Sequence, residues 1–357
     1  MKKILLLILL LLPIKVQAIS ASSSIVMDLD SGRILHANNI DDERLIASIT
    51  KIMTCIIAIE NGDLDEKIVV GEEVLKAYGS AIYIEVGETL TLKDLLMGLM
   101  LRSGNDAAIV IANNVAKNID EFVLLMNEKA QDIGMLHTYF YNPHGLEESN
   151  GLGNKSTARD MALLTKYAMQ NRVFREIFGT KKYQVKTNYK TYNWINKNKL
   201  LHQYDFINGG KTGYTKKAHR TLVTTAKQNN LNLVIVTLND GNDFADHITL
   251  YRNIFKKYES FLVLDKENVK IKNDNIYNNY KLYLNRDIVL AILPKEKKDI
   301  RLEYKLYNNT KFYDGDNIGY VEVYLADKLI ETEKIYISIP KSSPKSWWQK
   351  LFGWLKW

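Results

Sequence analysis

Apolar and polar positions repeat with different periods along the chain, and each change of period marks a new part. An apolar, β-branched run over Ser24–Leu29 and a returning run over Arg33–Ala37, with the turn Asp30-Ser31-Gly32 between them, predict an opening hairpin. The run from about Ser48 to Glu60 is apolar on nearly every side of a helical wheel and stops at Asn61-Gly62, so it predicts a buried helix. Leu92, Leu95, Leu96 and Leu99 recur at helical spacing behind Thr91 and Asp94, whose separation fits a capping box, and a second helix starts near Thr91. It breaks at Ser103-Gly104-Asn105, and a third helix covers Ala107–Ala116. Residues 121–180 read as mostly helical around a turn-rich stretch at 142–154.

Beyond Lys181 the period falls to two. Leu222–Ala226 and Leu231–Leu238 flank Gln228-Asn229-Asn230 as an antiparallel hairpin, and a helix over His247–Tyr258 closes the region. Strands first, helices in the middle and strands last predict an α+β fold: an antiparallel sheet with helices on both faces, over residues 19–260. Residues 261–340 are short alternating runs at turn spacings of roughly 8–12, which predicts a separate small β-sandwich. The end differs again. Over 344–357 a helical wheel puts Trp347, Trp348, Leu351, Phe352, Trp354 and Leu355 on one face, with Lys345, Gln349 and Lys356 opposite. That is an amphipathic helix suited to lie in an anionic membrane surface.

Composition narrows the setting. With 46% hydrophobic and 25% charged residues the chain has an ordinary globular balance and room for two or three domains. Residues 1–18 carry Lys2 and Lys3, an apolar run Ile4–Leu12, and Val16-Gln17-Ala18 at their end, the pattern of a cleaved export signal. The run is shorter than the roughly 20 residues of a membrane span. The mature chain is therefore expected to begin at Ile19, in the periplasm, attached to the outer face of the cytoplasmic membrane. Cys55 is the single cysteine, so no internal disulfide forms, and its apolar surroundings make it a core residue. The formal charge of +7 falls to +4 without Lys2, Lys3 and Lys15, which suits an anionic envelope surface. No zinc-finger spacing, phosphate loop or basic-aromatic stripe points to nucleic acid, and the six histidines form no metal-binding pair; no metal or cofactor is expected.

The chemistry gathers at Ser48-Ile49-Thr50-Lys51. Lys51 stands in an apolar helix, where a charge is costly, and burial lowers a lysine pKa until the amine serves as a base. At i and i+3 the two side chains share a face, so the amine reaches the hydroxyl, and unpaired N–H groups at the helix start favour developing negative charge. Alone, the pattern is weak: an N-cap serine and a lysine that reaches water account for it more simply. Two further motifs bear on it: Ser103-Gly104-Asn105 in the helix break, and Lys211-Thr212-Gly213 at a strand, after Gly209-Gly210, where small residues let an extended substrate approach the edge. Ser103 and Lys211 follow Ser48 by 55 and 163 residues.

In that order and spacing the trio resembles the signature of penicillin-binding proteins and serine β-lactamases. The whole chain resembles the low-molecular-weight D-alanyl-D-alanine carboxypeptidases among them, with Asn142–Leu146, Thr157–Ala162 and Gly210–Thr215 matching their characteristic segments. The resemblance implies that Ser48 is acylated by a peptidoglycan stem peptide, that Lys51 takes its proton, and that β-lactams inhibit by trapping Ser48. It implies that Ser103 and Lys211 relay protons and hold the substrate carboxylate, that Asn105 binds the substrate amide, and that Thr212 helps with the carboxylate. Gly213 would admit the substrate, and the N–H groups of Ser48 and Tyr214 would form the oxyanion hole. An arginine that these enzymes place before the last helix of the catalytic domain has His247 as its nearest basic counterpart, which puts His247 forward for the carboxylate. His144 reads as a turn organiser, Arg159 and Asp160 as structural.

Three rivals share parts of this pattern. A D,D-endopeptidase would use the same machinery on crosslinks. A class A-like β-lactamase needs a glutamate for the deacylating water, and Glu147 and Glu148 fall in the right region but in a different sequence setting. A non-enzymatic peptidoglycan-binding scaffold would keep the fold without the intact motifs.

Overall fold

A computed structural model describes residues 19–148, 150–271, 276–277, 280–308 and 311–339. The expected signal, 1–18, and the expected tail helix, 344–357, lie outside the described residues. The fold is mixed α/β, and the chain divides into two compact units. One comprises the residues up to Val26, His36–Ala226 and Val234–Asn253; the other comprises Met27–Leu35, Lys227–Leu233 and the chain from Ile254.

Strands β1 (Ser23–Asp28) and β2 (Ile34–Asn38) form the predicted opening hairpin. A single turn of 3-10 helix, Ala47–Thr50, then leads into α1 (Lys51–Asn61). Ser48 therefore sits in a tight turn before the α-helix rather than at its cap, and Thr50 occupies the cap position. Helix α2 (Leu92–Arg102) begins with the capping box read from Thr91 and Asp94. It ends on Ser103, whose φ of 65° and ψ of 38° put a non-glycine residue in the left-handed region. Helices α3 (Asn105–Val115), α4 (Ile119–Asp132), α5 (Ala158–Ala168) and α6 (Arg172–Gly179) follow. Asn118, Thr157 and Asn171 cap the last three by accepting backbone N–H groups.

A hairpin, β3 (Lys182–Lys186) and β4 (Thr191–Ile195), and a short helix, α7 (Leu200–Gln203), lead to β5 (Ile207–Thr215), β6 (His219–Gln228) and β7 (Leu231–Leu238). The main sheet has the order β2-β1-β7-β6-β5, so β5 is an edge strand. Asn229 and Asn230 both have positive φ, 50° and 62°, which suits the two-residue turn between β6 and β7. Helix α8 runs from Asp243 to Lys257, four residues earlier than the sequence pattern suggested, with Asp243 and Asp246 in its first turn where the dipole favours acids. Residues of opposite parity on β6 meet helical neighbours on the sheet's two sides. Thr221 Oγ1 donates to Ile46 O beside the Ser48 turn, whereas Thr224 Oγ1 meets His247 of α8.

In the second unit β8 (Glu259–Leu264) pairs with β10 (Ile288–Ile292). A four-stranded antiparallel sheet has the order β9-β13-β12-β11, from β9 (Lys281–Tyr283), β11 (Ile300–Leu306), β12 (Asn317–Leu325) and β13 (Lys328–Ser338). Ile288, Leu290 and Ile292 share a buried core with Val321, Val323, Ile335 and Ile337, as their period of two requires. Arg33 adds a forked ion pair to Glu296, at 2.8 and 2.9 Å, and donates to Ala291 O.

Candidate active site

The Ser48 turn is pressed against edge strand β5. A Cβ on Gly213 would lie 2.9 Å from Ser48 N and 2.4 Å from Thr221 Oγ1, so only glycine lets the strand come this close. Gly145 does the same from the other side: it has φ of 89°, and a Cβ there would lie 2.0 Å from Ala47 O.

Lys51 is fully buried at the start of α1. Its Nζ has three neighbours: Asn105 Oδ1 at 2.8 Å, His144 O at 2.6 Å and Ser48 Oγ at 3.2 Å. Burial pushes its pKa well below the usual lysine range, and the positive charges of Lys211 and Lys197 push it further. A neutral amine has two hydrogens and one lone pair. In that neutral form the two fixed acceptors, Asn105 Oδ1 and His144 O, can take the hydrogens and leave the lone pair for the Ser48 hydroxyl. Such an arrangement can serve as a nucleophile with a base beside it.

Asn105 is held as tightly. Its Oδ1 accepts from Lys51 and its Nδ2 donates to Tyr78 O at 2.6 Å, so one N–H remains for a ligand. Ser103 Oγ accepts from Lys211 Nζ at 3.1 Å, and Lys211 also donates to Thr212 O at 2.7 Å. Burial, with Lys197 adding repulsion, brings the Lys211 pKa down to about 7, where the amine can both hold and pass a proton. Above these groups opens a cleft of about 320 Å³; Ser48, Ser103, Thr212, Gly213 and Tyr214 line it, the last 61% exposed. The structure thus brings together every expected site residue but one.

That one is His247, and here the expectation is corrected. Because α8 starts at Asp243, His247 falls in its second turn and faces the sheet, 0% exposed. Its Nδ1 lies 2.7 Å from Thr224 Oγ1 and its Nε2 3.0 Å from Thr237 Oγ1. Desolvation lowers its pKa to about 3, so the ring stays neutral and has no charge to offer a carboxylate. His144 organises its turn, with Nδ1 accepting from Leu146 N at 3.1 Å. Neither Glu147 nor Glu148 lines the cleft: Glu147 accepts from Thr215 Oγ1 and Glu148 from Asn142 Nδ2. Arg159 pairs with Asp41, and Asp160 accepts from His137 N and Thr138 Oγ1.

Several contributors were not read from the sequence. Ser80, Lys197, Lys199, Arg220, Asp243 and Phe244 also line the cleft. Asp106, beneath it, accepts from the backbone N–H groups of Ile82, Tyr83 and Ala107 at 2.7–3.0 Å and so ties the 80–84 loop to the Ser103-Gly104-Asn105 turn. The one visible signal for Asp106 was its place in the first turn of α3, where a carboxylate meets unpaired N–H groups.

A hydroxyl beside a desolvated amine, with a second serine–lysine pair across the cleft, is the equipment of an acyl-transferring serine hydrolase. The profile of the D-alanyl-D-alanine carboxypeptidase family, Peptidase S11, matches residues 13–242. The D-alanyl-D-alanine carboxypeptidase DacF of Bacillus subtilis is 29% identical over 303 residues, 81% of this chain and 77% of its own. DacA of Escherichia coli, of the same name, is 29% identical over 352 residues, 90% of this chain and 84% of its own. Among solved structures, penicillin binding protein 5 from Haemophilus influenzae superposes with a TM-score of 0.74 at 26% identity, over 91% of this chain and 98% of that one. The chain belongs to the D-alanyl-D-alanine carboxypeptidase family of serine peptidases.

Proposed function

We propose that the protein removes the terminal D-alanine from peptidoglycan stem pentapeptides through an acyl-enzyme on Ser48. The observation that carries this reading is the Lys51 amine, buried, flanked by two fixed acceptors and 3.2 Å from Ser48 Oγ. Ser48 Oγ bonds to the carbonyl carbon between the two D-alanines while its proton passes to Lys51. The N–H groups of Ser48 and Tyr214 hold the oxygen that gains charge. The C–N bond then breaks, and the leaving amine takes a proton from the Lys51 side or through Ser103 and Lys211. After D-alanine leaves, a water oxygen bonds to the acyl carbon and the bond from that carbon to Ser48 Oγ breaks; one water proton passes to Ser48 Oγ, and the shortened peptide departs with a new carboxyl group. Asn105 and Thr212 orient the peptide. A β-lactam presents the same carbonyl to Ser48 but keeps its leaving group tethered, which blocks the water step.

The test is free D-alanine released from a pentapeptide ending in D-Ala-D-Ala, by the protein and by its Ser48→Ala variant. Release by the first and not the second supports the reading. No release from folded protein would transfer the assignment to crosslink cleavage or β-lactam hydrolysis.

The setting proposed with this activity is the outer face of the cytoplasmic membrane, after loss of residues 1–18. Among the described residues no helix is long and apolar enough to cross a membrane. Attachment is assigned to the amphipathic stretch 344–357, and the β-rich residues 261–340 to a sandwich domain that serves as a spacer or partner platform. Removing 344–357 releases the protein from membranes without changing turnover; retention would place the anchor elsewhere.

A further inference from the structure

With His247 buried, the terminal carboxylate of the proposed substrate needs another cation. Lys197, Lys199 and Arg220 line the cleft against one carboxylate, Asp243, so the cleft is electropositive and suits an anionic peptide end. These three are not equivalent. Lys197 Nζ donates to Ser80 Oγ at 3.3 Å, and Lys199 stands on the approach to α7, off the sheet. Arg220 is on β6, directly opposite Tyr214 of β5, while Leu222 is opposite Thr212. Residues two apart on a strand share a face, so Arg220 and Thr212 are diagonal neighbours on the same face, a separation of about 7–8 Å that a long side chain spans. That face is the one that carries Thr224 against α8, the helix that Asp243 opens.

We propose that Arg220 reads the terminal carboxylate of the substrate, gripping it through two parallel N–H donors beside Thr212. A planar guanidinium matches a carboxylate at two points, which a lysine cannot do, and so separates a free peptide end from an amide. The assignment rests on the carboxypeptidase reading above and adds the residue that makes the enzyme an exopeptidase.

The experiment uses the purified full chain, Arg220→Ala and Arg220→Lys, with two pentapeptides, one ending in D-Ala-D-Ala and one in D-Ala-D-alaninamide. The Ala variant should raise KM for the acid by about 10–100-fold, as loss of a charged hydrogen-bonded pair does, and so flatten the preference for acid over amide. The Lys variant should recover part of that preference. Arg220 is exposed, and a thermal melt confirms that the variants fold. An unchanged acid-to-amide preference, or an equal loss on both peptides, overturns the proposal. Covalent labelling by benzylpenicillin and by its methyl ester gives a second measure that does not need turnover. If the parent is labelled but releases no D-alanine, the carboxypeptidase reading falls, and the penicillin pair decides the role of Arg220: a preference for the acid lost in Arg220→Ala upholds it, a preference retained refutes it.

Discussion

Asp106→Ala is the substitution whose consequences follow most directly from the geometry. The carboxylate is 2% exposed and accepts from Ile82 N at 3.0 Å through both oxygens, from Tyr83 N at 2.7 Å and from Ala107 N at 2.9 Å. Alanine leaves these donors without their acceptor, at a cost of about 1–3 kcal/mol for each one that water cannot reach. Tyr83 N is only partly buried, so the sum is about 3–5 kcal/mol, typical for a broken buried network. At about 2–4 °C per kcal/mol for a unit of this size, melting falls by roughly 10 °C. The effect also reaches the chemistry. Asn105 N donates to Ser80 O at 2.7 Å and Asn105 Nδ2 to Tyr78 O, so release of the loop displaces the residue that aims Lys51. Labelling of Ser48 by a fluorescent penicillin should slow about tenfold or more. Thermal melts and labelling rates of parent and variant test both halves. A variant that melts within 2 °C of the parent (about 1 kcal/mol or less) and labels at the parent rate would show that Asp106 organises nothing.

Ser48→Ala should abolish labelling outright, and Lys51→Met should slow it by about 10³-fold, read by mass spectrometry of the acyl-enzyme. Lys197→Ala removes a charge that lowers both Lys51 and Lys211, so the pH profile of labelling should move to higher pH; a profile that stays in place refutes that coupling. His144 and His247 are both held near pKa 3 by desolvation, against 6.5 when unfolded. Between pH 6.5 and 3 the unfolded chain binds the extra protons, so their contribution is full above pH 6.5 and is lost as pH falls. At pH 5 each accounts for about 2 kcal/mol, and His247→Gln should lessen the fall in melting temperature between pH 7 and pH 5 while leaving KM for the peptide unchanged.

Ser48 and Lys51 were legible because they break a local rule. A lysine inside an apolar helix conflicts with its surroundings, and such conflicts concentrate at sites with work to do. The motif order then brought in Ser103, Asn105 and Lys211, each of which meets its partners through its own side chain. Asp106 was not legible for the opposite reason: the partners that tie it to the 80–84 loop, Ile82 N and Tyr83 N, are backbone N–H groups more than twenty residues earlier, and a backbone donor carries no mark of residue type. His247 was put forward as the nearest basic counterpart of an arginine before the last helix, with that helix expected to start at His247; a start at Asp243 turns it into the sheet. Arg220 was missed for another reason: register across two strands is fixed by pairing and not by periodicity within either one.

Lys51 announces itself by being out of place, whereas Asp106 under the 80–84 loop and Gly213 against the Ser48 turn work through backbone: Asp106 carried no sequence signal of its partners, and Gly213 was read as room for substrate and not as the contact with the Ser48 turn. A substitution at Gly213 should accordingly damage the site as much as one at a reacting residue. Gly213→Ala puts a methyl 2.9 Å from Ser48 N and forces β5 or the Ser48 turn to shift by several tenths of an ångström. Because the N–H groups of Ser48 and Tyr214 are proposed to hold the developing oxyanion across this contact, labelling should fall by about 10²-fold, the usual effect of losing one such donor. Lys51 should stay buried and bonded to Asn105 and His144, so the variant keeps its base while losing its rate. A Gly213→Ala protein that labels within about threefold of the parent would mean that the close approach of β5 has no part in stabilising the oxyanion.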